Sequence, residues 1–257
     1  MIETERPMRK QLYGLLGRNI SYSFSSGYFK EKFDLLKLDH CEYQNFDIEA
    51  IEDFTDLISA NIKLLTGMNI TIPYKESVIP FLDELDKDAS EIGAVNTIKF
   101  IENGRLKGYN TDVVGFQKSI EPLLAAHHEK ALILGTGGAA KAIAFVFKKL
   151  NIDFLYVSRN PQSADEISYA TLDEDKMRTH QIIINCTPLG TFPETEKCPD
   201  IPYKYLGNRH LLFDLIYNPS TTTFLQKGND RGALVKNGLE MLQLQAEKSW
   251  EIWNNFE

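Results

Sequence analysis

Ala131-Leu-Ile-Leu-Gly-Thr-Gly-Gly-Ala-Ala-Lys141 is an apolar run that breaks into glycines and resumes with a helical pattern. Leu132 to Leu134 read as a buried strand. Ile143, Ala144, Val146, Phe147 and Leu150 then form an apolar stripe of helical period. Between them Gly135, Gly137 and Ala140 fit the G-x-G-x-x-G/A spacing of a dinucleotide-binding turn. Gly135 lets the chain leave the strand tightly, Gly137 lets backbone approach a pyrophosphate, and Ala140 lets the helix pack close to the sheet. The helix start at Gly138 and Ala139 offers N–H groups and a positive dipole end to the phosphates. A plain glycine turn between strand and helix fits the same residues, and the flanking strand and helix favour the dinucleotide.

The next strand extends this reading. It ends Phe154-Leu-Tyr-Val-Ser-Arg-Asn160, about 20 residues past the turn, where an NAD site usually carries an acid for the ribose hydroxyls. Here Ser158, Arg159 and Asn160 stand instead. A carboxylate would repel a 2′-phosphate, whereas a guanidinium binds one through charge-assisted hydrogen bonds. The expected cofactor is NADP.

Outward from this segment, the chain is an alternation of strands and helices. Leu12 to Leu16, Tyr43 to Ile48 and Asn69 to Ile72 read as strands. Phe29, Phe33 and Leu36 read as one helical face, Leu57, Ile58, Ile62 and Leu65 as another, and Val78 to Leu85 as a third helix. Ala94 to Phe100 and Leu106 to Asn110 flank Asn103-Gly104, a type I′ hairpin signal. A linking helix is expected over 115–129. Then come strand 131–134, helix 139–150, strands 154–158, 182–185 and 211–216, and an amphipathic helix from Leu239 to Trp253. The pattern is α/β, with two domains.

Composition narrows the partners. The 257 residues are 43% hydrophobic and 25% charged, as in ordinary globular chains. A net charge of −8 and a pI of about 5.3 argue against nucleic acid and anionic membranes, which call for a basic face. Cys41, Cys186 and Cys198 are odd in number and lack metal-type spacing, so no metal is expected. With neither a secretory signal nor a membrane-length apolar run, the expected setting is cytoplasmic.

Polar residues collect at four places in the first half. Ser21, Ser23 and Ser25 alternate, so an extended chain would aim them one way; Ser25 or Ser26 could equally cap a helix beginning near Tyr28. Asn69-Ile-Thr-Ile-Pro-Tyr-Lys75 puts Asn69 and Thr71 on one strand face and delivers Lys75 past a proline, where a solvated lysine would also fit. Asn96 and Thr97 interrupt an apolar strand, and a buried amide needs partners, structural or ligand. Asn110-Thr-Asp112 could be a polar turn capping the next helix.

In this order, together with Gly17, Gly93-Ala-Val-Asn-Thr97, the fingerprint, Asn185-Cys-Thr-Pro-Leu-Gly190, Asp214 to Tyr217 and Asn237-Gly-Leu-Glu-Met-Leu to Gln245, the motifs resemble the shikimate dehydrogenase family along essentially the whole chain. The resemblance implies a substrate domain over 1–113, completed by 237–257, and a Rossmann-like NADP domain over 114–236. The last helix would return to the first domain. It implies Lys75 and Asp112 as the catalytic pair, and Ser23, Ser25, Thr71, Asn96, Tyr217 and Gln245 as substrate contacts. Thr187 joins Gly135, Gly137, Gly138, Ala139, Ser158, Arg159 and Asn160 at the cofactor.

The implied reaction is NADPH-dependent, reversible reduction of 3-dehydroshikimate to shikimate in chorismate and aromatic amino-acid biosynthesis, by a monomer or homodimer. Tyr22, Ser26, Val113 and Glu240 replace the histidine, proline and two glycines frequent in the family. Glu240 would put a carboxylate near the nicotinamide. Two other readings remain: a quinate/shikimate dehydrogenase using NAD or NADP, and a binding or sensor protein on the same scaffold without turnover.

Overall fold

The last helix of the chain is anchored by an indole in a glycine socket, and this contact closes the first of two units. The structure, a computed structural model, describes residues 9–20 and 23–255. The first unit runs up to Thr111 and resumes at Ser249; the second is Asp112–Lys248. In the first, β1 (Gln11–Gly17), α1 (Phe24–Leu36), β2 (Cys41–Asp47), α2 (Phe54–Asn61), β3 (Leu65–Ile70), β4 (Glu84–Leu85), α3 (Lys87–Ile92), β5 (Thr97–Phe100) and β6 (Leu106–Tyr109) follow in order. The sheet order is β2-β1-β3-β5-β6-β4. β1 is parallel to β2 and β3, β5 is antiparallel to β3 and β6, and β4 is parallel to β6. Leu16, Met68, Ile70 and Ile98 form its core with Phe54 and Val78.

The other buried cluster of this unit holds the chain's end. Tyr13, Phe29 and Trp253 meet with ring centroids 5.0 and 5.3 Å from the tryptophan. The indole Nε1 of Trp253 donates to the Ile98 carbonyl at 3.0 Å. A Cβ on Gly67 would run into the Trp253 ring, so β3 carries glycine there to admit it. The helix that delivers Trp253, α8 (Leu239–Asn254), is the last element of the chain.

The second unit contains α4 (Asp112–Ile120), β7 (Lys130–Leu134), α5 (Gly138–Lys149), β8 (Asp153–Ser158), β9 (Glu166–Ser168), α6 (Glu174–Thr179), β10 (Ile182–Asn185), β11 (Leu211–Asp214), α7 (Thr223–Asn229) and β12 (Leu234–Lys236). Its sheet is parallel throughout, in the order β12-β11-β10-β7-β8-β9. Its strands read as continuous apolar runs because both faces are covered. Two α/β units therefore stand, as expected. The first crossing between them falls between Thr111 and Asp112. The return falls within α8: the helix's early turns lie against Gly115 of α4, where an added Cβ would sit 2.5 Å from the Met241 carbonyl, and its later turns carry Ser249 and Trp253.

Three local expectations are corrected. Val78 to Leu85 is not a helix: a 3₁₀ turn over Ile79–Phe81 gives way at Leu82 to extended backbone (φ −104, ψ 145), and β4 pairs with β6. Leu36 is exposed, because α1 ends there and Lys37 turns left-handed at φ 56. The linking helix stops at Ile120, two residues before Pro122. At the hairpin, Asn103 and Gly104 do take positive φ (61 and 74), within a five-residue connection from Ile101 to Arg105.

A carboxylate is buried where β10 and β11 end side by side. Asp214 accepts hydrogen bonds from Asn185 Nδ2 (3.0 Å), the Ile216 backbone N–H (3.1 Å) and Thr222 Oγ1 (2.6 Å). Burial nevertheless pushes its pKa from 3.8 up to about 6. A carboxyl that holds its proton more tightly when folded adds stability below pH 4, and that stability is lost as pH rises through 6.

Two outcomes follow from these contacts. Trp253→Ala removes a buried ring and its hydrogen bond, and should cost about 3–5 kcal/mol. Thermal unfolding checks this, and an unchanged melting temperature would show that the ring is not seated. Asp214→Asn keeps the acceptor oxygen but not the charge. Its stability relative to the parent should rise by up to about 3 kcal/mol between pH 4 and pH 7. Urea unfolding at both values measures this; a pH-independent difference would mean the carboxyl titrates at its ordinary value.

Candidate active site

Strand ends position the candidate residues of the first unit. β1 stops at Gly17, where an added Cβ would lie 2.6 Å from Thr71 Cγ2, so the glycine lets Thr71 sit directly against it. The chain then turns toward α1 under the Asp47 carboxylate, which accepts from the backbone N–H groups of Asn19 (2.9 Å) and Ile20 (3.0 Å). Ser21 and Tyr22 lie outside the described residues. Ser23 occupies the N-cap position of α1, but its side chain does not cap the helix. Its Oγ is buried with no hydrogen-bond partner among the described residues. Ser25 is inside the first turn, not at a cap near Tyr28, and its side chain is hydrogen-bonded to the Tyr43 hydroxyl. Of the two serines, Ser23 is the one whose hydroxyl no group among the described residues has claimed.

Past β3, Thr71 is anchored to β1 by its backbone N–H on the Leu16 carbonyl at 2.9 Å. Lys75 follows a turn closed by Tyr74 N–H on the Thr71 carbonyl (2.9 Å). Its own carbonyl accepts from Val95 N–H at 2.7 Å. That bond fixes Lys75 beside the segment leading to Asn96. Asn96 and Thr97 are buried, and the amide is deeply engaged. Asn96 Oδ1 accepts from the Thr111 backbone N–H (2.7 Å), Thr111 Oγ1 (3.1 Å) and Thr97 Oγ1 (3.1 Å). Because a backbone N–H can only donate, the amide oxygen must face Thr111. The nitrogen, a donor, is the group on the other side.

In the second unit Asp112 opens α4, at the end of the helix that favours a negative charge. It is buried. Gly115, one turn on, is pressed against α8, where an added Cβ would lie 3.1 Å from Gln245 Cβ. Asp112 and Gln245 thus ride on two helices in direct contact. Tyr217 follows Ile216, whose N–H is held by Asp214. Glu240 is ion-paired with Lys236 at 2.5 Å, so its carboxylate carries its own counter-charge.

The fingerprint turn has the geometry its glycines imply. Gly135 adopts φ 106 and donates to the Val157 carbonyl at 2.9 Å. Gly137 is the N-cap of α5, with no side-chain cap, and a Cβ there would meet no protein atom within 4 Å. A cradle that a side chain would fill stands open before the uncapped N–H groups of Gly138 and Ala139. Ala140 is fully buried against the sheet. At the end of β8, Ser158 Oγ accepts from Asn160 N–H at 3.2 Å, and Arg159 is exposed; nearby, burial pushes the Tyr169 hydroxyl pKa up to about 12, an effect the Arg159 charge opposes. Thr187 faces the turn with its methyl group, while its hydroxyl and N–H both go to Asn185 Oδ1 (2.6 and 3.0 Å). These residues fit a dinucleotide with an extra phosphate on its ribose. Among the described residues no His, Cys, Asp and Glu group is placed to hold a metal, and no helix is long and apolar enough to cross a membrane.

Asn69, Ser249, Asn185 and Asp214 were not anticipated as site residues. Asn185 and Asp214 are polar ends of apolar strands, and in the sheet they are register partners. Gln245, Ser249 and Trp253 recur every fourth residue, so they share a face of α8.

Known proteins match this chain along its length. The family model described as Shikimate dehydrogenase substrate binding domain matches residues 15–98. The shikimate dehydrogenase (NADP(+)) of Methanococcus vannielii is 36% identical over 265 residues, covering 95% of this chain and 92% of that one. The crystal structure of shikimate dehydrogenase from Aquifex aeolicus superposes with a TM-score of 0.85 at 31% identity, covering 100% and 96% of the two chains. The Thermus thermophilus shikimate 5-dehydrogenase, in complex with NADP(H) and shikimate, gives a TM-score of 0.84 at 27% identity, covering 96% and 94%. By its ordered motifs, its two α/β units and this full-length similarity, the chain belongs to the shikimate dehydrogenase family.

Proposed function

We propose that this chain is an NADP-dependent shikimate dehydrogenase, which reversibly reduces 3-dehydroshikimate to shikimate in chorismate and aromatic amino-acid biosynthesis. The observation that carries the reading is the buried, unclaimed hydroxyl of Ser23, in the segment matched by the substrate-binding family model. A hydroxyl buried without a partner is costly, and an anionic ligand oxygen would satisfy it.

Bound NADPH supplies the hydride. The protein's part is to hold the substrate and to manage one proton. Ser23 donates to the substrate carboxylate, and Ser25 completes that end by turning from Tyr43; Thr71 contacts a substrate hydroxyl. Asn96 offers its amide nitrogen to a substrate hydroxyl, and Gln245 and Tyr217 contact the ring substituents. Lys75 gives a proton to the carbonyl oxygen in reduction and takes it back in oxidation. Asp112 accepts a hydrogen bond from a substrate hydroxyl and orients the lysine. Gly135, Gly137, Gly138 and Ala139 take the pyrophosphate, Ser158, Arg159 and Asn160 the 2′-phosphate, and Thr187 lines the turn. A cytoplasmic monomer or homodimer belongs to the same reading, and three free cysteines agree with a reducing setting.

The arginine favours this over an NAD-dependent quinate/shikimate dehydrogenase. The direct assay follows nicotinamide absorbance with shikimate or quinate and with NADP or NAD. Shikimate with NADP should be preferred. Arg159→Ala should weaken NADP by about 1.5–3 kcal/mol, the scale of a hydrogen bond to a charged group, and leave NAD almost unchanged. Comparable efficiency on quinate would promote the alternative, and no turnover with either acid would point to the binding protein. Lys75→Ala should lower kcat by roughly 10²–10⁴ while the KM for shikimate moves much less. Near-normal turnover with poor substrate binding would remove Lys75 from proton transfer.

A further inference from the structure

Five buried polar residues of the first unit form one hydrogen-bonded cluster, and one of them comes from the far end of the chain. Asn69 Nδ2 donates to Ser249 Oγ (3.0 Å), Thr97 Oγ1 (3.2 Å) and the Asn96 carbonyl (3.3 Å). Asn69 Oδ1 accepts from the Tyr43 hydroxyl at 2.9 Å. Ser249 Oγ lies 2.8 Å from Thr97 Oγ1 and 3.1 Å from Thr111 Oγ1. Thr97 and Ser249 are wholly inaccessible to solvent, and Asn69, Asn96 and Thr111 nearly so.

The carbonyl of Asn96 fixes the Asn69 amide: it can only accept, so the nitrogen is on that side, facing Ser249 as well. Thr97 Oγ1 and Thr111 Oγ1 each lie 3.1 Å from Asn96 Oδ1, an oxygen that can only accept. Ser249 Oγ is within hydrogen-bond distance of both threonine hydroxyls, and in each of these pairs either oxygen can donate. The arrangement runs from Asn69 through Ser249 and the two threonines to the amide oxygen of Asn96. Asn96 is held by its amide oxygen, and Thr111 is held one residue before Asp112.

We infer that Ser249, supported by Asn69, is a positioning residue for substrate recognition: it fixes the two threonines that orient the Asn96 amide toward a substrate hydroxyl. This rests on the proposed reading of Asn96 as a substrate contact. Ser249 touches no reacting atom in this account and acts through Thr97 and Thr111.

The test measures kcat, the KM for shikimate and for NADP, and the shikimate Kd by calorimetry for Ser249→Ala, Thr97→Val and Thr97→Ser. Ser249→Ala and Thr97→Val each delete a hydroxyl at nearly constant shape. Each should raise the shikimate KM and Kd about five- to tenfold, the scale of one net hydrogen bond, with the NADP KM unchanged. Thr97→Ser keeps the hydroxyl and should behave as the parent. Shikimate analogues each lacking one hydroxyl add a second readout. The analogue that costs the parent most should cost Ser249→Ala clearly less, because the contact is already impaired.

Unchanged shikimate binding in both hydroxyl deletions, equal losses for shikimate and NADP, or a Thr97→Ser variant as impaired as Thr97→Val would each overturn the positioning role. Should Ser249→Ala not fold, the two Thr97 variants decide alone. A parent protein that neither binds nor oxidises shikimate would overturn the functional reading beneath it.

Discussion

The first unit depends on the return of its own chain terminus. A two-faced sheet needs cover on both sides. On one side of it, the rings of Phe29, Tyr13 and Trp253 make a layer that the residues before 112 would leave without its tryptophan. Gly67 is the permissive half of this contact and the indole the filling half. The hydrogen bond to the Ile98 carbonyl then fixes the depth and rotation of the ring. Helical periodicity does the rest. With Trp253 in its socket, Ser249 one turn earlier is committed to the same face and lands among Asn69, Thr97 and Thr111. A hydrophobic contact thus sets the register at which a polar contact can form.

A different device organises the second unit. Asn185 and Asp214 end adjacent parallel strands, where loops must leave the sheet. Between them they receive donors from Thr187, Ile216 and Thr222, so one buried amide–carboxylate pair ties down two loops and the start of α7. The burial that raises the Asp214 pKa is also what makes it a rigid post: with no water to compete, each donor has one acceptor to choose. The loop carrying Thr187 is in turn what the positive-φ turn at Gly135 packs against.

Much of this was legible in the sequence, for reasons that differ by residue. The fingerprint turn is local, so spacing alone identified Gly135, Gly137 and Ala140 and the strand and helix around them. Apolar runs marked β1, β8 and β10 within a residue or two. Val78 to Leu85 misled because helical spacing survives in a turn followed by an extended segment, and the pairing of that segment with β6 is a contact between residues far apart in sequence. Candidate site residues were reached by resemblance in an ordered set of motifs rather than by local pattern. Ser249 was not reached at all. Its partner Asn69 is 180 residues away, and a serine in an amphipathic helix carries no sign of what it will meet. Glu240 shows the reverse. Read alone it is a carboxylate in an awkward place, and only the structure supplies Lys236 beside it.

Charge sets the last constraint. The chain carries −8, and under the proposed reading both of its ligands are anions. Its overall field therefore repels what it must bind, and long-range steering cannot be the source of affinity. Recognition has to come from donors fixed at short range, where a hydrogen bond to a charged group outweighs a screened surface potential. The structure offers such donors: the hydroxyl of Ser23, the uncapped N–H groups at the start of α5, the guanidinium of Arg159 and the amide nitrogen of Asn96. Each is neutral or singly charged and directional. Selectivity in this protein is accordingly a matter of orientation, which is why a buried serine that only orients other groups can matter to it.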